Sequence, residues 1–107
     1  MKQRFQPLPQ YDVTTALDAL AHVVATLKTA EEVRAFLEDL CTPAELESMA
    51  DRWQVVPLLL QGVPYREVHE RTAVSVTTIG RVARTMDRGT GGYAIAARRL
   101  RLPIASH

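Results

Sequence analysis

The stretch that decides the fold is Pro64 to Met86, PYREVHERTAVSVTTIGRVARTM. Residues 64–72 form a short helix, Ala73-Val74-Ser75 a tight turn, and Val76 to about Met86 a second helix. Ser75 is the natural N-cap of that second helix, because its hydroxyl oxygen accepts an otherwise unpaired backbone N–H of the first turn. Helix-turn-helix geometry needs apolar residues that fix the angle between the helices, and Val68, Val74, Ile79 and Val82 stand where they would supply them. With Ile79 set at the core and about 100° advanced per residue, Val82, Ala83 and Met86 fall on its side. Thr77, Arg81, Arg84 and Arg88 fall opposite. One hydroxyl and three guanidinium groups on one stripe suit a helix lying in a negatively charged groove.

Two positions depart from the usual pattern. His69 falls where a small residue usually lets the two helices approach. Ala73 falls where glycine usually takes the left-handed conformation, which costs any other residue roughly 1 kcal/mol.

Charge supports the same reading. The chain of 107 residues has a formal net charge of +1, but the balance is divided along its length. Residues 1–61 hold five Lys/Arg against nine Asp/Glu, and residues 62–107 hold eight arginines against three acids. An acidic half suggests a region for assembly, and a basic half one that faces an anion.

Working outward, residues 1–11 carry Pro7 and Pro9 among glutamines and read as an extended arm. Val13, Leu17, Leu20, Val24 and Leu27 follow a four-three spacing that predicts a two-heptad helical seam. Ala16, Ala19, Val23 and Ala25 make the other sides of that helix apolar too, so it needs burial on more than one side. A place between two subunits would provide it. Thr29-Ala30-Glu31-Glu32 has the form of a capping box and opens a second helix, with Val33, Phe36, Leu37 and Leu40 on its apolar face. Thr42-Pro43-Ala44-Glu45 repeats that signal and opens a third. Its predicted face is Leu46, Met49, Ala50, Trp53, Val56 and Leu60, running to a stop at Gly62. Pro57 within it predicts a kink or a break. Gly89 to Gly92 is a loop, and Tyr93 to Leu102 forms a last short helix.

Composition excludes other classes. Apolar residues make up 47% and charged residues 23%, the balance of a folded domain. The single cysteine, Cys41, cannot close an internal disulfide, which fits a reducing compartment. The basic start has no apolar stretch behind it, and the longest apolar run, Val55 to Leu60, is far short of a membrane span. A cytoplasmic protein without membrane contact is expected. His22, His69 and His107 lie in different segments with no metal-ligand spacing. The glycines at 89–92 follow a helix and lack a P-loop lysine. Neither a metal site nor an enzyme is expected.

At the level of motifs, Leu40-Cys41-Thr42-Pro43-Ala44-Glu45, Arg52, Leu58-Leu59-Leu60-Gln61-Gly62 and Thr77-Thr78-Ile79-Gly80-Arg81 resemble the Trp repressor superfamily. Tyr65-Arg66-Glu67-Val68 and Arg81-Val82-Ala83-Arg84 through Gly91-Gly92-Tyr93 are more similar to its YerC/YecD branch. The resemblance covers about residues 30–102 and is most specific over 40–93. It implies an intertwined all-α dimer, bacterial origin, and DNA binding by residues 64–86. In the Trp repressor a threonine and two arginines form the corepressor pocket, and those positions match Thr42, Arg52 and Arg81. A flat ligand would stack between the two guanidinium groups. Val82 stands where the Trp repressor has a glycine that leaves room, and Pro57 lies in the helix carrying Arg52, which argues against L-tryptophan as that ligand.

The expectation is therefore an all-α protein of about six short helices, forming an intertwined homodimer. Its parts are an arm (1–11), one helical domain (12–102) and a tail (103–107). The domain comprises assembly and core helices (12–61), the helix-turn-helix (64–86) and a C-terminal helix (92–102). Its expected partner is double-stranded DNA, as a transcriptional regulator of the repressor kind. Ser75 and Val76 would enter the groove, Thr77 and Gly80 would approach base edges, and Arg66, Arg71, Arg84 and Arg88 would mainly hold phosphates. An all-α module that binds a protein partner through the same two helices is the alternative.

Overall fold

The computed structural model describes residues 13–105. The extended arm expected at 1–11 and the last two tail residues lie outside that range. Six helices follow in order: α1 (Val13–Thr26), α2 (Ala30–Leu40), α3 (Pro43–Leu60), α4 (Tyr65–Thr72), α5 (Val76–Arg88) and α6 (Gly92–Leu100). The described residues contain no strand, and none of their helices is long and apolar enough to cross a membrane.

The chain divides into two units, Met1–Leu40 and Cys41–His107. In the first, α2 begins on a variant of the predicted capping box. Glu32 N donates to Thr29 Oγ1 at 3.1 Å, while the Glu32 carboxylate accepts from Lys28 N at 2.8 Å, one residue earlier than the usual arrangement. Described side chains of this unit are all exposed or half-buried, and Leu17 of the seam is 61% exposed.

In the second unit, α3 starts on a complete capping box. Thr42 Oγ1 accepts from Glu45 N at 3.2 Å, and Thr42 N donates to Glu45 Oε1 at 2.8 Å. Helices α3, α4 and α5 pack against one another around Val55, Val56, Val68, Val74, Ile79 and Val82, none more than 4% exposed. All four residues predicted to fix the helix-turn-helix angle are in that cluster. For α3 the outcome is different. Val55 and Val56 are fully buried, whereas Met49 is 38% exposed and Ala50 is exposed. Only the second half of α3 lies under α4 and α5, so the predicted face is buried at Val56 and half-buried at Trp53 and Leu60. No break occurs at Pro57, which sits inside the continuous helix. Its missing N–H takes the usual i−4 donor from the Trp53 carbonyl, and α3 runs on for only three residues beyond it.

The end of the chain closes this unit. Tyr93 of α6 approaches Trp53, with ring centroids 6.3 Å apart. Beyond α6, Ala105 N donates to the Leu60 carbonyl at 2.7 Å, satisfying one of the free carbonyls at the end of α3.

Candidate nucleic-acid interface

The two unusual residues, His69 in α4 and Ala73 in the turn that follows it, are both accounted for by the structure. Ala73 adopts φ 64°, in the left-handed region, and its N–H donates to the His69 carbonyl at 2.8 Å. His69 Nδ1 lies 2.7 Å from the Val74 carbonyl, a bond in which the imidazole must donate because a carbonyl can only accept. Thr72 Oγ1 donates to the Val68 carbonyl at 2.7 Å and accepts from Val74 N at 3.1 Å. Two polar side chains thus tie down the turn that a glycine would have eased. His69, in the sequence only a departure from the usual small residue, and Thr72, which carries no cap or motif signal there, are structural parts of the turn. Replacing Ala73 with glycine should raise stability by about 1 kcal/mol, since the left-handed strain is removed while the bonds of His69 and Thr72 remain. Denaturant melts would read this, and a loss of stability would mean that the turn carries no strain at Ala73.

Ser75 caps α5 as predicted: its Oγ accepts from Thr78 N at 3.1 Å and donates to Thr78 Oγ1 at 3.0 Å. That fixes where α5 begins. Ile79 is fully buried and Val82 is 1% exposed, while Thr77, Arg81, Arg84 and Arg88 are all exposed on the other side. Val76, at the front of the helix, is 52% exposed and open to a contact. Gly80 is half-buried.

The arginines differ in their engagement. Arg71 pairs with Glu67 at 3.2 Å along α4, and Arg88 lies 3.7 Å from its neighbour Asp87, both at exposed positions where such pairs are weak. Arg66, Arg81 and Arg84 form no ion pair among the described residues. Unneutralised guanidinium groups on one exposed surface are what an anionic partner requires.

The implied ligand residues have separate surroundings. Thr42 is engaged in the α3 capping box. Arg52 borders an open groove of about 360 Å³ with Cys41, Ala44, Glu45, Ser48 and Met49, and neither Thr42 nor Arg81 lines it. Val82, next to Arg81, is a core residue. Among the described residues no cluster of His, Cys, Asp or Glu is arranged to hold a metal ion.

A chain whose described elements are helices and whose α4 and α5 pack around Val68, Val74, Ile79 and Val82, with Ser75 capping α5 and arginines on its outer face, belongs to the helix-turn-helix class. Comparison narrows this. Residues 15–101 match the family described as Trp repressor protein. The chain is 36% identical over 85 residues to the uncharacterized protein YerC of Bacillus subtilis (strain 168), covering 79% of this chain and 82% of that one. Among solved structures, it is similar to a proposed Trp repressor from Staphylococcus aureus, with a TM-score of 0.79 and 33% identity over 84% of this chain and 90% of that one. It is also similar to a TrpR-like protein from Eubacterium eligens ATCC 27750, with a TM-score of 0.77 and 31% identity over 87% and 94% of the two chains. This chain belongs to the Trp repressor family, in its YerC-like branch.

Proposed function

We propose that this protein is a homodimeric, sequence-specific DNA-binding regulator that represses transcription by occupying its operator. The observation that carries the reading is the division of α5 into a buried apolar side and an exposed side bearing Thr77, Arg81, Arg84 and Arg88. The front of α5, with Ser75, Val76, Thr77 and Gly80, enters the major groove, and Arg66, Arg71 and Arg88 meet phosphates on either side. Homodimer formation is supported by α1, whose Leu17, Val23 and Val24 are 61%, 39% and 36% exposed. Two copies would present two recognition helices to half-sites about 34 Å apart. The proposal includes no corepressor, because Thr42 is engaged in capping, Arg81 does not line the groove beside Arg52, and Val82 fills its position with core.

Binding to duplex DNA, measured across a salt series with two variants, tests the proposal. Thr77→Ala should relax the sequence preference. Arg66→Ala should weaken binding to all sequences and reduce the salt slope by about one unit. Should both variants bind like the unmodified protein, the outer face of α5 is not a DNA surface. Binding to a protein partner that persists at high salt would then favour the interaction-module reading.

A further inference from the structure

Gly80 and its two neighbours give Arg84 a more specific role than its charge alone suggests. A Cβ placed on Gly80 would lie 3.6 Å from Arg84 Nη1 and 4.0 Å from Tyr65 Cε2. The guanidinium of Arg84 is therefore folded back one turn along α5, onto half-buried Gly80, which has no side chain to keep it away. The edge of the Tyr65 ring, from the first turn of α4, bounds the same spot. Helical side chains lean toward the N-terminus of their helix, so an arginine placed four residues after a glycine brings its head group over it. The charge of Arg84 is thereby carried from the middle of α5 to its front, the part of a recognition helix that meets base edges. Arg84 forms no ion pair among the described residues, and Tyr65 is 43% exposed.

We propose that Arg84 reads a guanine in the major groove, with Gly80 giving its guanidinium room and the Tyr65 ring setting its direction. This rests on the DNA-binding reading above and changes the part expected of Arg84 from holding a phosphate to reading a base. The planar fork of the guanidinium matches the O6 and N7 acceptors of guanine, a pairing that a lysine ammonium reproduces poorly from the same position. Tyr65 is a positioning residue that acts through Arg84. Gly80→Ala should be tolerated, because its methyl would meet both neighbours at ordinary contact distance, whereas Gly80→Leu would displace the guanidinium.

The test is selection of bound sequences from a pool of randomised duplexes, followed by affinity measurements on the preferred site and its single-base variants. The unmodified protein should show a guanine preference of roughly ten- to a hundredfold at one position of each half-site. Arg84→Lys should lose that preference while keeping the salt slope, since the charge is retained. Tyr65→Ala and Gly80→Leu should weaken the preference at the same position and leave the others intact, and Gly80→Ala should keep it. Unchanged guanine preference in Arg84→Lys, or equal weakening of all sequences by Arg84→Ala with the slope lowered by about 0.9, would overturn the inference and leave DNA binding standing. If the unmodified protein selects no sequence from the pool and binds no duplex, the DNA-binding reading fails and this one with it.

Discussion

Replacing Ile79 with alanine should cost about 2–5 kcal/mol of stability. Ile79 is fully buried, and its neighbours Val55 and Val56 come from α3, Val68 from α4 and Val74 from the turn. Removing its branch leaves a cavity at the one place where all three helices meet. Only seven apolar side chains are buried among the described residues, so little other core exists to take up the loss. Against a typical total stability of about 5–15 kcal/mol, such a change is a large fraction. The melting temperature should fall by roughly 10–20 °C, and DNA affinity should fall with the folded fraction. The surface control Arg88→Ala should stay within about 0.5 kcal/mol. A loss below about 1 kcal/mol for Ile79→Ala would show that α5 is not anchored on this cluster.

Replacing Leu17 with aspartate gives the second large effect, on assembly rather than on the core of one chain. At 61% exposure, Leu17 would be an ordinary surface residue in a monomer, where the change should alter stability by no more than about 0.5 kcal/mol. If the α1 seam meets a second copy, the same change places an unpaired carboxylate in an apolar interface, a cost of several kcal/mol. A cost of about 3 kcal/mol weakens the dimer more than a hundredfold. Sedimentation at micromolar concentration should then show the unmodified protein at twice the 11.9 kDa of one chain and Leu17→Asp largely as single chains. Cooperative binding to paired half-sites should disappear with the dimer. A single-chain mass for the unmodified protein, or an unchanged dimer in Leu17→Asp, would remove α1 as the interface.

Much of the helical plan was legible because its signals are local. Capping depends on residues within one turn, which is why Thr42 with Glu45 and Ser75 as an N-cap were readable as helix starts. The orientation of α5 followed from a period of 3.6 residues once Ile79 was placed inward. The α3 face was less legible, since periodicity says which residues share a side but not how much of that side a partner helix covers. Met49 and Val56 share a side, yet one is 38% exposed and the other is fully buried.

By itself the sequence determined the all-α class, the order of the six helices, the helix-turn-helix at 64–86 and the residues on its outer stripe. All of these depend on interactions within a turn or two of one helix. Tertiary structure alone decided which half of α3 is buried, that His69 reaches across to the Val74 carbonyl in a turn without glycine, and that Ala105 completes the end of α3. It also decided that Tyr65 and Arg84, from different helices, both come close to Gly80. Apart from the His69 bond, these features join residues of different segments. The Thr72 bonds are local, reaching four residues back to Val68 and two forward to Val74, and belong with the features a spacing rule could have found.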